Sequence, residues 1–234
     1  MIEQILNWLY PPACIACKVM LPVNMGNFYI CDRCELLFER VPLPACKKCG
    51  GVLSEEDEKC ASCFGKNFYF DSNTSTYVYD ELMRDLLLDM KFKNKKRIAT
   101  GLGMMWAKQV NMPEGEFMLT WLPMHPTKQK ERGFNQAEIM AKEIAKHLKI
   151  PCENVLRRIV DTPPQSGLHP KQRQENVEGA FEVVLGIAVH KQVVVIDDIY
   201  TTGASMNECA KVLKESGAEF VYSKTLAVTV RKYK

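Results

Sequence analysis

The sequence predicts an α/β chain: a mostly parallel sheet with helices on its faces, preceded by a small cysteine-rich module. Three observations carry this. From about Thr74 onward, short β-branched apolar runs alternate with helical periodicity. Eight of the ten cysteines form four C-x-x-C pairs, all within the first third of the chain. A strand of the buried type, VVVID, runs directly into a hydroxyl-rich turn and another helix. The 234 residues therefore divide into a module over 1–70 and an α/β domain over 71–234.

Taken in order, STYVYD is a strand and ELMRDLLLDM a helix, followed by the basic stretch KFKNKKR. IATGLGMMWAKQV is a second helix and FMLTWLP a buried strand. NQAEIMAKEIAKHL is a third helix, with Asn135 as N-cap and Glu138 as its partner three residues on. VLRRIV is a short strand, and residues 161–178 a polar loop. SMNECAKVLKES is a helix opened by a Ser205/Glu208 capping box and closed at Gly217. FVYSKTLAVTV is the last strand.

A hydrophobic fraction of 47%, a charged fraction of 25% and a net charge of +3 are ordinary for a soluble domain. The mild basicity permits nucleic-acid contact without arguing for it. No apolar run approaches the roughly 18–20 residues a membrane span needs, so no membrane insertion is expected. The opening MIEQILNWLYPP carries Glu3 and lacks a small-residue cleavage site. It reads as a short amphipathic helix with Ile2, Ile5, Leu6 and Leu9 on one face, not as an export signal. A cytoplasmic protein with reduced thiols follows.

The pairs are Cys14 and Cys17, Cys31 and Cys34, Cys46 and Cys49, Cys60 and Cys63. Two cysteines two residues apart form a knuckle that can put both sulfurs on one ion. Thirteen residues separate Cys17 from Cys31 and ten separate Cys49 from Cys60, which suits two zinc ribbons. The expectation is two Zn2+ ions, one on Cys14, Cys17, Cys31 and Cys34, the other on Cys46, Cys49, Cys60 and Cys63. An iron–sulfur cluster and redox dithiols are alternatives, and the spacing leaves open a crossed pairing of the first and third knuckles. Four thiolates per ion leave no open position, so the sites should be structural. Cys152 and Cys209 stand alone and read as ordinary packing residues.

In VVVIDDIYTTGAS, Asp197 and Asp198 end the apolar strand, at the edge where open α/β sheets bind ligands. Thr201, Thr202, Gly203 and Ser205 then enter a helix N-terminus, where backbone N–H groups and the helix dipole favour an anion. Carboxylates repel a phosphate, so they address another part of the ligand. Ribose hydroxyls fit, because they donate hydrogen bonds that carboxylates accept. The plainer alternative is a strand end followed by a turn. A P-loop is excluded, since no G-x-x-x-x-G-K-[ST] is present.

These residues resemble the phosphoribosyl-pyrophosphate signature of type I phosphoribosyltransferases. KERGFNQAE over 130–138, QSGLHPKQRQENVEGAF over 165–181 and the N-terminal cysteine pairs are similar to the ComF family of late competence proteins. The resemblance covers nearly the whole chain. It implies a type I phosphoribosyltransferase-like parallel sheet with flanking helices. It also implies a site for 5-phosphoribosyl 1-pyrophosphate with Mg2+. Asp197 and Asp198 would take the ribose hydroxyls, and would offset charge at ribose C1 if transfer occurs. Thr201, Thr202, Gly203 and Ser205 would take the 5-phosphate. WLPMHP would lie at a second strand end, with Lys128, Lys130 and Arg132 near the pyrophosphate. The stretch from about Thr162 to Asn176, with Gln165, Lys171 and Arg173, resembles a loop that closes over such sites. No acceptor pocket is recognisable, so binding of the activated ribose is better supported than its transfer. The resemblance further implies handling of single-stranded DNA during natural transformation, with a ComFA-like helicase as a partner. Lys18, Lys47, Lys48 and KFKNKKR could follow nucleic-acid phosphates; for that run a solvated helix end and contact with the pyrophosphate are the alternatives. Two other functional readings stand beside it: an active phosphoribosyltransferase of nucleotide metabolism with an unidentified acceptor, and a ligand-gated adaptor joining the zinc module to a sensor domain.

Overall fold

The structure is a computed structural model that describes residues 12–22, 29–53, 60, 63–93, 95–162, 172 and 175–229. The predicted helix over Ile2–Leu9 and most of the expected closing loop, including Gln165, Lys171 and Arg173, lie outside the described residues.

The main sheet has four strands, β1 (Ser72–Val78), β2 (Met118–Trp121), β5 (Gln192–Tyr200) and β6 (Phe220–Val228). Its order is β1-β6-β5-β2, and every neighbouring pair is parallel. β5 is interior and covered on both faces, so Val193, Val194, Val195 and Ile196 are all fully buried. Their side chains alternate: Val194 and Ile196 enter one apolar core, Val193 and Val195 the other.

Helices α2 (Glu81–Phe92), α3 (Lys96–Ala107) and α5 (Gln136–Leu148) contribute to the first core. α2 starts where Asp80 accepts a 2.8 Å bond from the Met83 N–H. It buries Met83, Leu86, Leu87 and Met90, one helical stripe. α5 starts at the expected Asn135, whose side chain accepts from the Ala137 N–H. Glu138 does not complete that cap; it pairs with Lys142 one turn on. The second core is closed by α6 (Ala204–Glu215) and by β3 (Leu156–Arg158) paired with β4 (Phe181–Val183).

Four details depart from the sequence expectations. VLRRIV joins no parallel sheet; its β3 segment forms a small antiparallel pair with β4 instead. A seven-residue helix, α4 (Pro126–Arg132), follows WLPMHP. It begins with proline, where a missing N–H costs nothing, and ends at Gly133 with φ of 77°. α6 has no capping box: Gly203 is its N-cap with φ of 76°, and Glu208 accepts from the distant Gly179 N–H. Finally, β5 continues to Tyr200, so the two acids lie within the strand.

The cysteine-rich module, with its short helix α1 (Asp32–Glu35), straddles the sheet. Cys14, Ile15, Ile30, Cys34 and Phe38 join the first core, whereas Cys49 and Phe70 join the second. At the first contact α3 presents Gly101, where a Cβ would stand 2.5 Å from the Tyr29 Cβ and 2.9 Å from the Ile15 Cδ1. Alanine is favoured over glycine inside a helix by about 1 kcal/mol, but overpacking costs about 1–3 kcal/mol. Gly101→Ala should therefore lower the thermal midpoint. A raised midpoint would show that the module is not seated on α3.

Candidate functional site

The carboxyl ends of β2, β5 and β6 open into a cleft of about 660 Å³. It is lined by Leu122 to Met124 after β2, by Asp197 to Thr201, by Thr225, and by the start of α6. Leu88, Lys91 and Phe92 close it from α2. Among the described residues four cationic side chains, Lys91, Lys128, Arg132 and Arg158, line the cleft together with the two carboxylates.

Successive strand residues point to opposite faces, and this separates the acids. Asp198 faces the α2 and α5 side. The Lys91 ammonium lies 2.5 Å from its Oδ2, and the Gln136 amide donates to the same oxygen at 3.4 Å. Arg132 holds Gln136 in turn at 2.9 Å. Burial opposes ionisation of Asp198, but Lys91, with help from Arg132, holds its carboxyl below the ordinary range. Asp197 lies nearer Arg158 and Cys209. Burial and then the Asp198 charge push its carboxyl well above the ordinary range. The two carboxyls are thus pushed in opposite directions, with Lys91 as the counter-charge of Asp198.

The turn after β5 is shaped by Tyr200. A Cβ at Gly203 would overlap the Tyr200 phenol, so only glycine fits at this positive φ. Gly203, Ala204 and Ser205 line the cleft at the helix entrance. Thr201 also reaches the cleft, while the Thr202 hydroxyl accepts from the Ala204 N–H at 3.4 Å and is absent from the lining.

Of the predicted site residues, the structure brings together Asp197, Asp198, Thr201, Gly203, Ser205, Lys128 and Arg132. Lys128 is also tied to the Thr162 carbonyl and to Asp161 at 3.4 Å. Lys130 sits on the exposed side of α4, away from the cleft. Two cations went unassigned in the sequence. Lys91 was one of several lysines in KFKNKKR, and nothing in that run marks it. Its neighbours behave differently: Lys93 and Lys95 both pair with Asp89. Arg158 had no motif; it stacks on Phe181 at 5.3 Å and donates to Thr162. KERGFNQ becomes intelligible as one device: the last turn of α4, its αL glycine, buried Phe134, the Asn135 cap, and Gln136 on Asp198.

The eight paired cysteines gather in two groups, Cys14/Cys17/Cys31/Cys34 and Cys46/Cys49/Cys60/Cys63, with the sulfurs of each within 4.8 Å of one another. None is in a disulfide. Sulfur separations of 3.7 Å for Cys17 to Cys31 and 3.4 Å for Cys49 to Cys60 approach the roughly 3.8 Å edge of a zinc–thiolate tetrahedron. Cys14 and Cys49 also accept backbone N–H groups, as thiolates do. The residues fit two structural zinc ions, and the grouping is sequential, not crossed.

Comparison with known families agrees with this architecture. Residues 5–64 match a double zinc ribbon domain and residues 135–233 a phosphoribosyl transferase domain. Competence protein F of Haemophilus influenzae is 27% identical over 88% of this chain and 92% of its own length. Competence protein ComFC of Streptococcus pneumoniae is 26% identical over 86% and 89%. DNA utilization protein YhgH of Salmonella typhimurium is 26% identical over 90% and 94%. The molecule is thus a phosphoribosyltransferase-type domain joined to a double zinc ribbon. It belongs to the ComF family of competence proteins.

The ion pair makes a pH-dependent expectation. A carboxyl depressed in the folded state contributes stability above its unfolded pKa, about 4, and loses it as pH falls through the lower folded value. Lys91→Met leaves two adjacent carboxyls without their nearest cation. Their folded pKa values then rise, so the variant loses stability as pH climbs from about 4 toward neutrality. Urea unfolding should show a deficit that is small near pH 4 and about 3 kcal/mol near pH 7. A deficit independent of pH would remove Lys91 as the counter-charge.

Proposed function

We propose that the cleft binds 5-phosphoribosyl 1-pyrophosphate, and that the protein is a cytoplasmic ComFC-like factor that handles single-stranded DNA. The observation that carries the ligand assignment is that the acid pair and the positive-φ turn open onto one cleft at the carboxyl edge of the sheet. Asp197 and Asp198 accept the ribose hydroxyls. Thr201, Gly203 and the first residues of α6 take the 5-phosphate, with Thr202 shaping their turn. Arg132 and Lys128 face the pyrophosphate, whereas Lys130, on the exposed side of α4, does not take part. Mg2+ would enter with the ligand and screen its pyrophosphate charge.

Lys91 pairs with Asp198 inside the cleft. A ribose hydroxyl must share Asp198 with the ammonium, and the pyrophosphate offers that ammonium an alternative anion. Among the described residues no group in the cleft stands out as an acceptor site, so the proposal covers binding and not transfer. Calorimetric titration with 5-phosphoribosyl 1-pyrophosphate and Mg2+ should show saturable binding. Asp197→Asn with Asp198→Asn should weaken it at least tenfold, about 1.4 kcal/mol. Absence of binding by the unaltered protein would sink the assignment.

The DNA role is supported by the similarity to competence and DNA utilization proteins and by a second, basic cleft of about 470 Å³. Lys18 of the first knuckle and Lys95, Lys96 and Arg97 at the start of α3 line it together. Arg97 is fixed there, 2.6 Å from the Ala13 carbonyl and stacked on Tyr29. The basic run is therefore split between two sites. Lys95→Gln with Lys96→Gln should reduce the salt slope of single-strand binding by about 0.7 per lost phosphate contact. An unchanged slope would exclude this cleft.

A further inference from the structure

The second cysteine group lies against the back of the turn that enters α6. Tyr200 is 6% exposed and shares its apolar cluster with Cys49, and Cys46, Cys60 and Cys63 pack against the same cluster. Phe70 sits between them, its ring edge-on to Tyr200 with centroids 6.3 Å apart. Tyr200 in turn fills the space beside Gly203, so the ring sets how the turn lies.

A second tie runs beside the first. The Asn207 side-chain oxygen accepts from the Tyr69 N–H at 2.6 Å. The Asn207 N–H itself closes the first turn of α6 on the Gly203 carbonyl at 2.7 Å. The knuckle is anchored to the same segment, because Lys48 donates to the carbonyls of Phe70 and Asp71. The Asn73 amide likewise reaches the Cys49 carbonyl at 2.8 Å. Neither Phe70 nor Asn207 lines the cleft. Among the described residues the first cysteine group shows no such route, and Cys14 and Cys34 belong to the core on the other face of the sheet.

We propose that the second cysteine site is coupled to the sugar-phosphate turn through Phe70–Tyr200 and Tyr69–Asn207. The metal-loaded knuckle holds residues 69–71 in place, and these hold the turn in its anion-binding shape. Phe70 and Asn207 are positioning residues, acting on the ligand only through Tyr200 and the backbone of Gly203. Coupling is reciprocal in free energy, so a phosphate at the turn must raise the metal affinity of the second site and leave the first unaffected; slower metal loss is the expected readout. The proposal rests on the turn being a phosphate cradle.

The test uses full-length zinc-loaded protein with ribose 5-phosphate as the probe. A zinc-selective chelator and a thiol-alkylating reagent are added together, and modification is followed peptide by peptide. Ribose 5-phosphate should slow alkylation of Cys46, Cys49, Cys60 and Cys63 about fivefold or more, a typical coupling, with no change at Cys14, Cys17, Cys31 and Cys34. Phe70→Leu and Asn207→Ala should keep two zinc ions and still bind ribose 5-phosphate. They should lose most of the selective protection, which a merely structural role would not predict. If calorimetry shows that ribose 5-phosphate binds but protection is equal at both sites or absent, the coupling is wrong and the cradle stands. If ribose 5-phosphate does not bind, the cradle and the coupling fall together. Protection that persists in both variants overturns the proposed route.

Discussion

An aspartate pair on a strand buried on both faces needs partners supplied from two directions. This constraint organises the cleft. β5 is interior, so its period of two sends Asp197 and Asp198 to opposite sides. Asp198 is compensated from the first side by Lys91 on α2 and Gln136 on α5. The Asp197 carboxyl is pushed the other way, upward, by burial and by the adjacent Asp198 charge. The elements that bring those partners are therefore as much part of the site as the strand. Removing one partner of such a pair costs more than the pair's net worth, since it strands a charge out of water.

The zinc ribbons are integrated with this sheet and do not hang from it. Their knuckles bury residues in both cores, and the α3 contact at Gly101 is too close for a side chain. A small module with little apolar material gains stability from metal. Here it also gains from two separate seats on a larger domain. The two seats differ in what they touch: the first knuckle meets the basic start of α3, the second meets Tyr200 behind the turn.

Much of the fold was legible in the sequence because its signals are local. The β-branched runs of β5 and β6, the Asn135 cap and the cysteine spacing each depend on residues within one turn or knuckle. The misses share a physical cause. α4 is seven residues long, too short for periodicity to show, and its limits come from Pro126 and Gly133. The Ser205/Glu208 capping box matched in spacing but lost to Gly203, because Tyr200 forces an αL glycine there and Glu208 has another donor in Gly179. β3 has the composition of a sheet strand, but its pairing with β4 was settled by a segment more than twenty residues away.

The sequence by itself determined the donor groups and their spacing: eight thiols in two metal-ligand sets, two adjacent acids at the end of an apolar strand, and a glycine-bearing turn after them. Those assignments follow from donor type and short-range spacing. Only the tertiary structure decided which cations serve the acids. Lys91, Lys93, Lys95 and Lys96 are alike in composition and nearly adjacent. Yet one is in the cleft, two are on Asp89, and two lie beside the first knuckle, Lys95 among both of the latter. Charge acts through space with a strength that falls with distance and rises with burial. A run of lysines therefore acquires distinct roles only when the helices that carry it are packed.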